Sequence, residues 1–222
     1  FIHSTLETPV APKRGNDIVL TINWEAQRAA DEAFEGKKGA VVVLDARTGA
    51  VLVMLSKPAY DPNLFIPRIK PSEWNSLNQD RNRPLVNRAL CGEYMPGSII
   101  KPLIALSSLE NGYNPAEKLV CEGGVNIGNT PIRCWNYKTG GHDELDLVHA
   151  IEQSCNVFFI RRGRMLGMDS ICRTLRNAGI GQGTGIPLPE SRGLAPSREF
   201  KMKAYREKWT EYDTALLSIG QG

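Results

Sequence analysis

The chain has 222 residues, 41% hydrophobic and 23% charged, which is enough apolar material for a sizeable core and excludes a disordered composition. Its formal charge of +3 is too small and too dispersed to point to nucleic acid. No apolar run approaches membrane-spanning length, and no signal-peptide pattern is present.

Residues Ile18 to Ile22 predict a short β-rich segment leading into an amphipathic helix from Asn23 to Phe34. Asn23 suits the N-cap, and Trp24, Ala26, Ala29, Ala30, Ala33 and Phe34 form a small or apolar face. Two apolar strands, Ala40 to Leu44 and Ala50 to Leu55, are expected on either side of the turn-rich Asp45-Ala46-Arg47-Thr48-Gly49. Their unbroken hydrophobicity predicts burial on both faces. The stretch from Lys57 to Asn87, rich in Pro, Asn and Asp, reads as a long surface excursion. A helix from Ser98 to Asn111 follows, with Pro102 tolerated in its first turn and Gly112 closing it. Helical pieces are expected at Asp146 to Gln153, Val157 to Leu166 and Asp169 to Asn177, and no internal repeat is visible.

Chemistry enters with Ser98-Ile99-Ile100-Lys101, introduced by Tyr94-Met95-Pro96-Gly97. Pro-Gly breaks the chain, so Ser98 falls at a helix mouth where unpaired N–H groups favour developing negative charge. Lys101 lies one turn later on the same face. A lysine neutralised by burial or by neighbouring cations can take the serine proton and leave an alkoxide able to attack a carbonyl. An isolated S-x-x-K is met more often as an N-capping serine beside a solvated lysine. Downstream, Ser154-Cys155-Asn156 supplies the S-x-N element that accompanies S-x-x-K in penicillin-interacting serine enzymes. Alone, Ser154 and Asn156 would be a helix cap and a turn residue; together with Ser98 and Lys101 they read as catalytic.

The cysteines are Cys91, Cys121, Cys134, Cys155 and Cys172. Cys121, Cys134, His142 and Cys155 form an ordered set around the S-x-N corner, and three thiolates with one imidazole make a tetrahedral zinc shell. The wide spacing is that of loops converging on one ion, not of a short finger. The alternatives are a Cys121–Cys134 disulfide or simply buried thiols. His149 reads as a helix-face residue and as the substitute ligand for His142.

Around both catalytic motifs the chain resembles a class B penicillin-binding protein, of the penicillin-binding protein 2 group that serves cell elongation. The resemblance runs through residues 15–22, 39–45, 57–63 and 84–89, then Gly185-Ile186-Pro187-Leu188-Pro189-Glu190 and Ser218-Ile219-Gly220-Gln221-Gly222. It implies an α+β fold of the penicillin-binding and serine β-lactamase-like transpeptidase type, an antiparallel sheet with a helical subdomain. Ser98 becomes the acylated nucleophile and Lys101 its general base. Ser154 relays a proton to the leaving group, and Asn156 binds the substrate or antibiotic amide. The implied reaction is D-Ala-D-Ala cross-linking of peptidoglycan stem peptides, blocked by β-lactams. Some relatives of this type carry zinc beside the active site, in loops between the two motifs, and the corresponding positions here are Cys121, Cys134, His142 and Cys155.

The third family motif, Lys-Thr-Gly, departs from the pattern. Lys138-Thr139-Gly140 precedes Ser154 instead of following it, and its Gly-rich and aromatic neighbours predict a turn. On the resemblance, residues 1–222 are a partial transpeptidase domain, incomplete at the C-terminus. The working Lys-Thr-Gly strand would follow Gly222, and a pedestal and membrane anchor would precede Phe1. These residues by themselves are then expected to acylate poorly. The resemblance also implies the periplasmic face of the inner membrane and a membrane glycosyltransferase partner of the elongation machinery. The same Ser98 and Lys101 would serve a serine β-lactamase or β-lactam sensor, though no match to a deacylating glutamate loop is found. A non-catalytic, zinc-stabilised module binding peptidoglycan or a partner is the alternative from another class.

Overall fold

The computed structural model describes residues 13–222. The chain divides into two compact units, one running to Ala89 and the other from Leu90 to Gly222.

In the first unit, helix α1 (Trp24–Ala33) begins where expected, because the Asn23 side chain accepts a hydrogen bond from the Ala26 N–H. Strands β1 (Gly39–Leu44) and β2 (Val51–Lys57) pair antiparallel from Gly39↔Lys57 to Leu44↔Val51, with a register shift at Val43/Leu44. Asp45 shapes the connection by accepting from the Arg47 and Thr48 N–H groups. Gln27 fastens α1 to β2: its amide donates to the Met54 carbonyl at 3.1 Å and accepts from the Met54 N–H at 2.9 Å.

Two expectations need correction here. Ile18 to Ile22 form no strand; Asn23 N–H meets the Leu52 carbonyl, but a single bond makes no ladder, and Ile18, Val19 and Leu20 are exposed. The strands are not buried on both faces, since Val53 and Leu55 are buried while Val42, Val43 and Leu44 are exposed. The stretch after Lys57 is largely exposed, as expected of a surface excursion, and it holds a 3-10 turn (Pro62–Phe65) and a helix, α2 (Pro71–Gln79). Pro62 and Pro71 sit at the first helical position, where a missing N–H is harmless, so these prolines start helical turns instead of breaking them. A one-turn helix, α3 (Arg88–Cys91), carries the chain across the boundary.

The core of the second unit is built on α4 (Lys101–Glu110), α5 (Leu147–Glu152) and α6 (Asn156–Asn177). Ile104, Phe158, Phe159, Ile160 and Ile171 are almost fully buried within it, each contributing about 1.5–3 kcal/mol of apolar transfer. Gly167, at φ 74° and ψ 158°, interrupts α6, which is why the sequence reads as two helical pieces there. Between α4 and α5, strand β3 (Leu119–Cys121) pairs with β6 (Asp143–Leu145), and β4 (Gly124–Ile127) pairs with β5 (Thr130–Arg133). The β4–β5 hairpin turns on Gly128-Asn129, a two-residue connection that sequence reasoning missed. Also missed were α7 (Arg198–Tyr205) and α8 (Glu211–Leu217), although Ser197 caps the first and a Thr210–Asp213 capping box opens the second.

Candidate active site

Gly97, at φ 59°, turns the chain into a 3-10 turn (Gly97–Ile100) that runs straight into α4. Ser98 is exposed on this turn, whereas Lys101, one turn on, is 2% exposed. The Lys101 stem is buried, and its ammonium reaches the S-x-N corner. It donates to the Ser154 carbonyl at 2.7 Å, to Ser154 Oγ at 3.0 Å and to Asn156 Oδ1 at 2.7 Å. Three acceptors match its three N–H bonds. Burial pushes the Lys101 amine below its ordinary value, while Cys134 and Cys155 act in the opposite sense. The bland reading of a solvated lysine does not fit this residue.

The S-x-N corner is a helix-to-helix junction. The Ser154 N–H bonds the Ile151 carbonyl and the Cys155 N–H bonds the Ala150 carbonyl, closing α5 in a Schellman pattern. Ser154 occupies the left-handed position at φ 49°, where glycine is usual. A serine held there carries backbone strain of about 1–3 kcal/mol, tolerated where its side chain has work to do. Cys155 then caps α6 by accepting from the Phe158 N–H, and Asn156 is the first helical residue. The Asn156 amide donates to the Arg133 carbonyl at 3.3 Å, which leaves Oδ1 facing Lys101. Lys101, Ser154 and Asn156 are thus brought together. Among the described residues no hydrogen bond joins the Ser98 hydroxyl to them; bonds of this kind commonly tighten only with substrate present.

The cysteine–histidine set also converges. The ligand atoms of Cys121, Cys134, His142 and Cys155 all lie within 4.8 Å of one another. His142 Nδ1 is 3.5 Å from the sulfurs of both Cys121 and Cys134, and the Cys134 and Cys155 sulfurs are 4.0 Å apart. A tetrahedral zinc with ordinary bond lengths separates its ligands by about 3.8 Å for S···S and about 3.6 Å for S···N, so the spacing fits such an ion. A disulfide needs about 2.0 Å, and all of the cysteines are free. Within the cluster, the hydrogen bond from the Cys155 thiol holds Cys134 down to about 4, and the same bond together with burial pushes Cys155 up. Nδ1 is the ring nitrogen that faces the sulfurs, while Nε2 is buried without a hydrogen-bond partner.

The remaining candidates lie elsewhere. His149 is exposed and bonded to Asp146, as befits a helix-face residue. Cys91 is exposed, and Cys172 is buried against the Pro196 carbonyl. Lys138-Thr139-Gly140 occupies a 3-10 turn ending in left-handed Gly140, the turn expected from sequence and not a strand. One contributor escaped sequence reasoning. Trp135 lies edge-on to His142, with ring centroids 5.0 Å apart, and its indole N–H bonds the Gln153 carbonyl just before Ser154. Its position beside Cys134 was the only available signal.

The family described as penicillin binding protein transpeptidase domain matches residues 39–222. The chain belongs to this transpeptidase family. It is 37% identical over 215 residues to the peptidoglycan D,D-transpeptidase MrdA of Escherichia coli K12, covering 96% of this chain and 34% of that protein. The chain thus spans about a third of the length of such relatives. Among solved structures, penicillin-binding protein 2 of Helicobacter pylori superposes with a TM-score of 0.89 at 34% identity, over 96% of this chain and 41% of that one. Penicillin-binding protein 2 of Pseudomonas aeruginosa, solved in complex with WCK 5153, gives 0.88 at 38% identity, over 94% and 48%. The expected fold is therefore the observed one, an α+β penicillin-binding transpeptidase fold. Among the described residues no helix is long and apolar enough to cross a membrane.

Proposed function

We propose that this chain belongs to a peptidoglycan D,D-transpeptidase in which Ser98 forms an acyl-enzyme. The observation that carries the reading is Lys101: a buried lysine aimed at both side chains of an S-x-N corner, one turn from an exposed serine. In its neutral form Lys101 accepts the Ser98 proton as Oγ attacks the penultimate D-Ala carbonyl. The Ser98 backbone N–H, at the start of a helical turn, serves as one oxyanion donor. Ser154 passes a proton to the departing amine, and the terminal D-Ala leaves. The amine of a second stem peptide then attacks the Ser98 ester and releases the cross-linked product. A β-lactam enters as donor mimic and leaves a slowly hydrolysing ester.

Zinc is the metal we propose for Cys121, Cys134, His142 and Cys155. Three thiolates and an imidazole would leave no open position, so such an ion would be structural, holding the corner between Ser154 and Asn156 through Cys155. The relatives support the rest of the reading. Penicillin-binding protein 2 of Helicobacter pylori is also solved in complex with MreC, and a further relative in a peptidoglycan synthase complex that couples polymerization and crosslinking. By analogy we assign the full-length protein to the periplasmic face of the inner membrane, with a membrane glycosyltransferase of the elongation machinery as partner.

A labelled penicillin applied to the full-length protein tests the reading. Persistent label, located at Ser98 by mass spectrometry and lost in Ser98→Ala, is expected. Label that turns over rapidly makes the protein a β-lactamase, and no label makes it a binding module.

A further inference from the structure

The last residues of the chain reach the turn that carries Ser98. The Gly97 N–H donates to the Gly220 carbonyl at 2.9 Å, one residue before Ser98. Gly220 has φ 69°, and a Cβ there would lie 2.2 Å from the Gly97 carbonyl oxygen and 2.6 Å from its nitrogen. The two backbones are in contact, with no space for a side chain between them. Two residues earlier, Ser218 is fully buried at the end of α8 and donates to the Thr214 carbonyl. It packs so closely on α6 that a Cβ on Gly163 would lie 1.7 Å from its Oγ. The segment Ser218-Ile219-Gly220 therefore rests on α6 through Gly163 and on the nucleophile turn through Gly97. Asn156 opens that same α6, and Ile219, 2% exposed, anchors the segment in the core.

We infer that Gly220 is a positioning residue for Ser98: its bare backbone sets the height of the Gly97 peptide, and so the placement of the serine hydroxyl relative to Lys101 and Asn156. The segment is a spacer between the two catalytic elements, its thickness fixed by Gly163 on one side and Gly220 on the other. Any group larger than hydrogen at either contact widens the gap. This inference rests on the acylation proposed above. Misplacement of reacting groups by about 1 Å costs on the order of 10²-fold in rate.

The test is the acylation rate constant at saturating penicillin, measured on the full-length protein beside the non-covalent dissociation constant and the melting temperature. Gly220→Ala is expected to lower the saturated rate about 100-fold with the dissociation constant changed less than about 3-fold. Gly185→Ala supplies the control, since Gly185 has φ 83° and nothing within 4 Å of its Cβ position, so it shares the backbone strain without the contact. Its saturated rate should match wild type. Gly163→Ala should slow acylation as well, and adding Ser218→Gly, which clears the space that the new methyl needs, should restore it. A folded Gly220→Ala protein that acylates at the wild-type rate overturns the inference. If Gly220→Ala does not fold, the Gly163→Ala protein decides: slowing reversed by Ser218→Gly supports the inference, and a wild-type rate or slowing that is not reversed overturns it. Wild-type protein that takes no label at Ser98 instead overturns the proposed function, which keeps the two failures apart.

Discussion

The ammonium nitrogen of Lys101 lies 2.7 Å from Oδ1 of Asn156, tying the start of α4 to the start of α6 across 55 positions of sequence. Arg133 accepts one of the two Asn156 amide hydrogens, so on the proposed function the other would serve the substrate or antibiotic amide. Asn156→Asp keeps the shape but removes that donor and places a carboxylate against the lysine. The carboxylate holds Lys101 in its charged form, in which it cannot take the Ser98 proton. Acylation by a labelled penicillin should fall about 10²-fold or more, and Lys101→Ala should lose about 10²–10⁴-fold. Acylation of either variant at the wild-type rate would remove Lys101 from the role of base.

The pH dependence follows from the same burial. Loss of hydration lowers the Lys101 pKa below 10.5, so the neutral amine, which we propose as the base, is present at lower pH than for a free lysine. The saturated acylation rate should rise with pH through a midpoint below 10.5, and Lys101→Ala should lack that limb. Stability should move in the same direction. Between the lowered pKa and 10.5 the unfolded chain binds more protons than the folded one, so unfolding becomes harder as pH rises through that window. A rate that is flat with pH in the wild type would contradict this.

How far the site could be read in advance depends on which forces placed each residue. Ser98 and Lys101 are three apart on one helical turn, so their relation is local and follows from helix geometry alone. Asn23 capping α1 and Asp146 capping α5 are local in the same way. The exposed outer half of β1 was not legible, because Val42, Val43 and Leu44 are as apolar as the buried Val53 and Leu55. What differs is the tertiary surroundings, which composition does not carry. The β4–β5 hairpin was legible and passed over, since Gly128-Asn129 between Ile127 and Thr130 is a turn signal with a known mechanism. Gly220 against Gly97 belongs to a third kind: a backbone contact between distant residues leaves only a glycine as its trace, and glycines have many uses.

Metal content is the next expectation. Protein purified without chelator should hold one zinc, with metal–sulfur distances of about 2.3 Å and metal–nitrogen distances of about 2.0–2.1 Å by X-ray absorption. Ligand-linked folding makes metal loss a stability loss, so chelation should lower the melting temperature by roughly 10 °C and slow acylation together. Cys134→Ser should reproduce both effects. Elemental analysis without zinc, coupled with a disulfide between any two of Cys121, Cys134 and Cys155, would refute the proposed metal.

Gly141 offers a separate route to the same cluster. It has φ 105°, and a Cβ there would lie 2.0 Å from the Cys121 carbonyl oxygen and 2.3 Å from the Gly123 N. The next residue, His142, donates its N–H to that Cys121 carbonyl at 3.0 Å, so the close approach of Gly141 is what lets the histidine and cysteine loops meet. Gly141→Ala must push the loops apart and should cost about 2–4 kcal/mol of stability from the clash and the left-handed backbone combined. Zinc affinity should fall at least 10-fold, since Nδ1 moves away from the sulfurs. Gly140→Ala is the matched comparison: Gly140 has φ 96° but nothing within 4 Å of its Cβ position, so only the backbone strain applies, about 1 kcal/mol. Because Gly140 closes the Lys138-Thr139-Gly140 turn, the same protein checks that this triplet is not the working Lys-Thr-Gly. Penicillin labelling of Gly140→Ala at the wild-type rate is expected. Equal zinc loss in the two variants would show that the cluster answers to loop strain and not to the contact between Gly141 and Cys121.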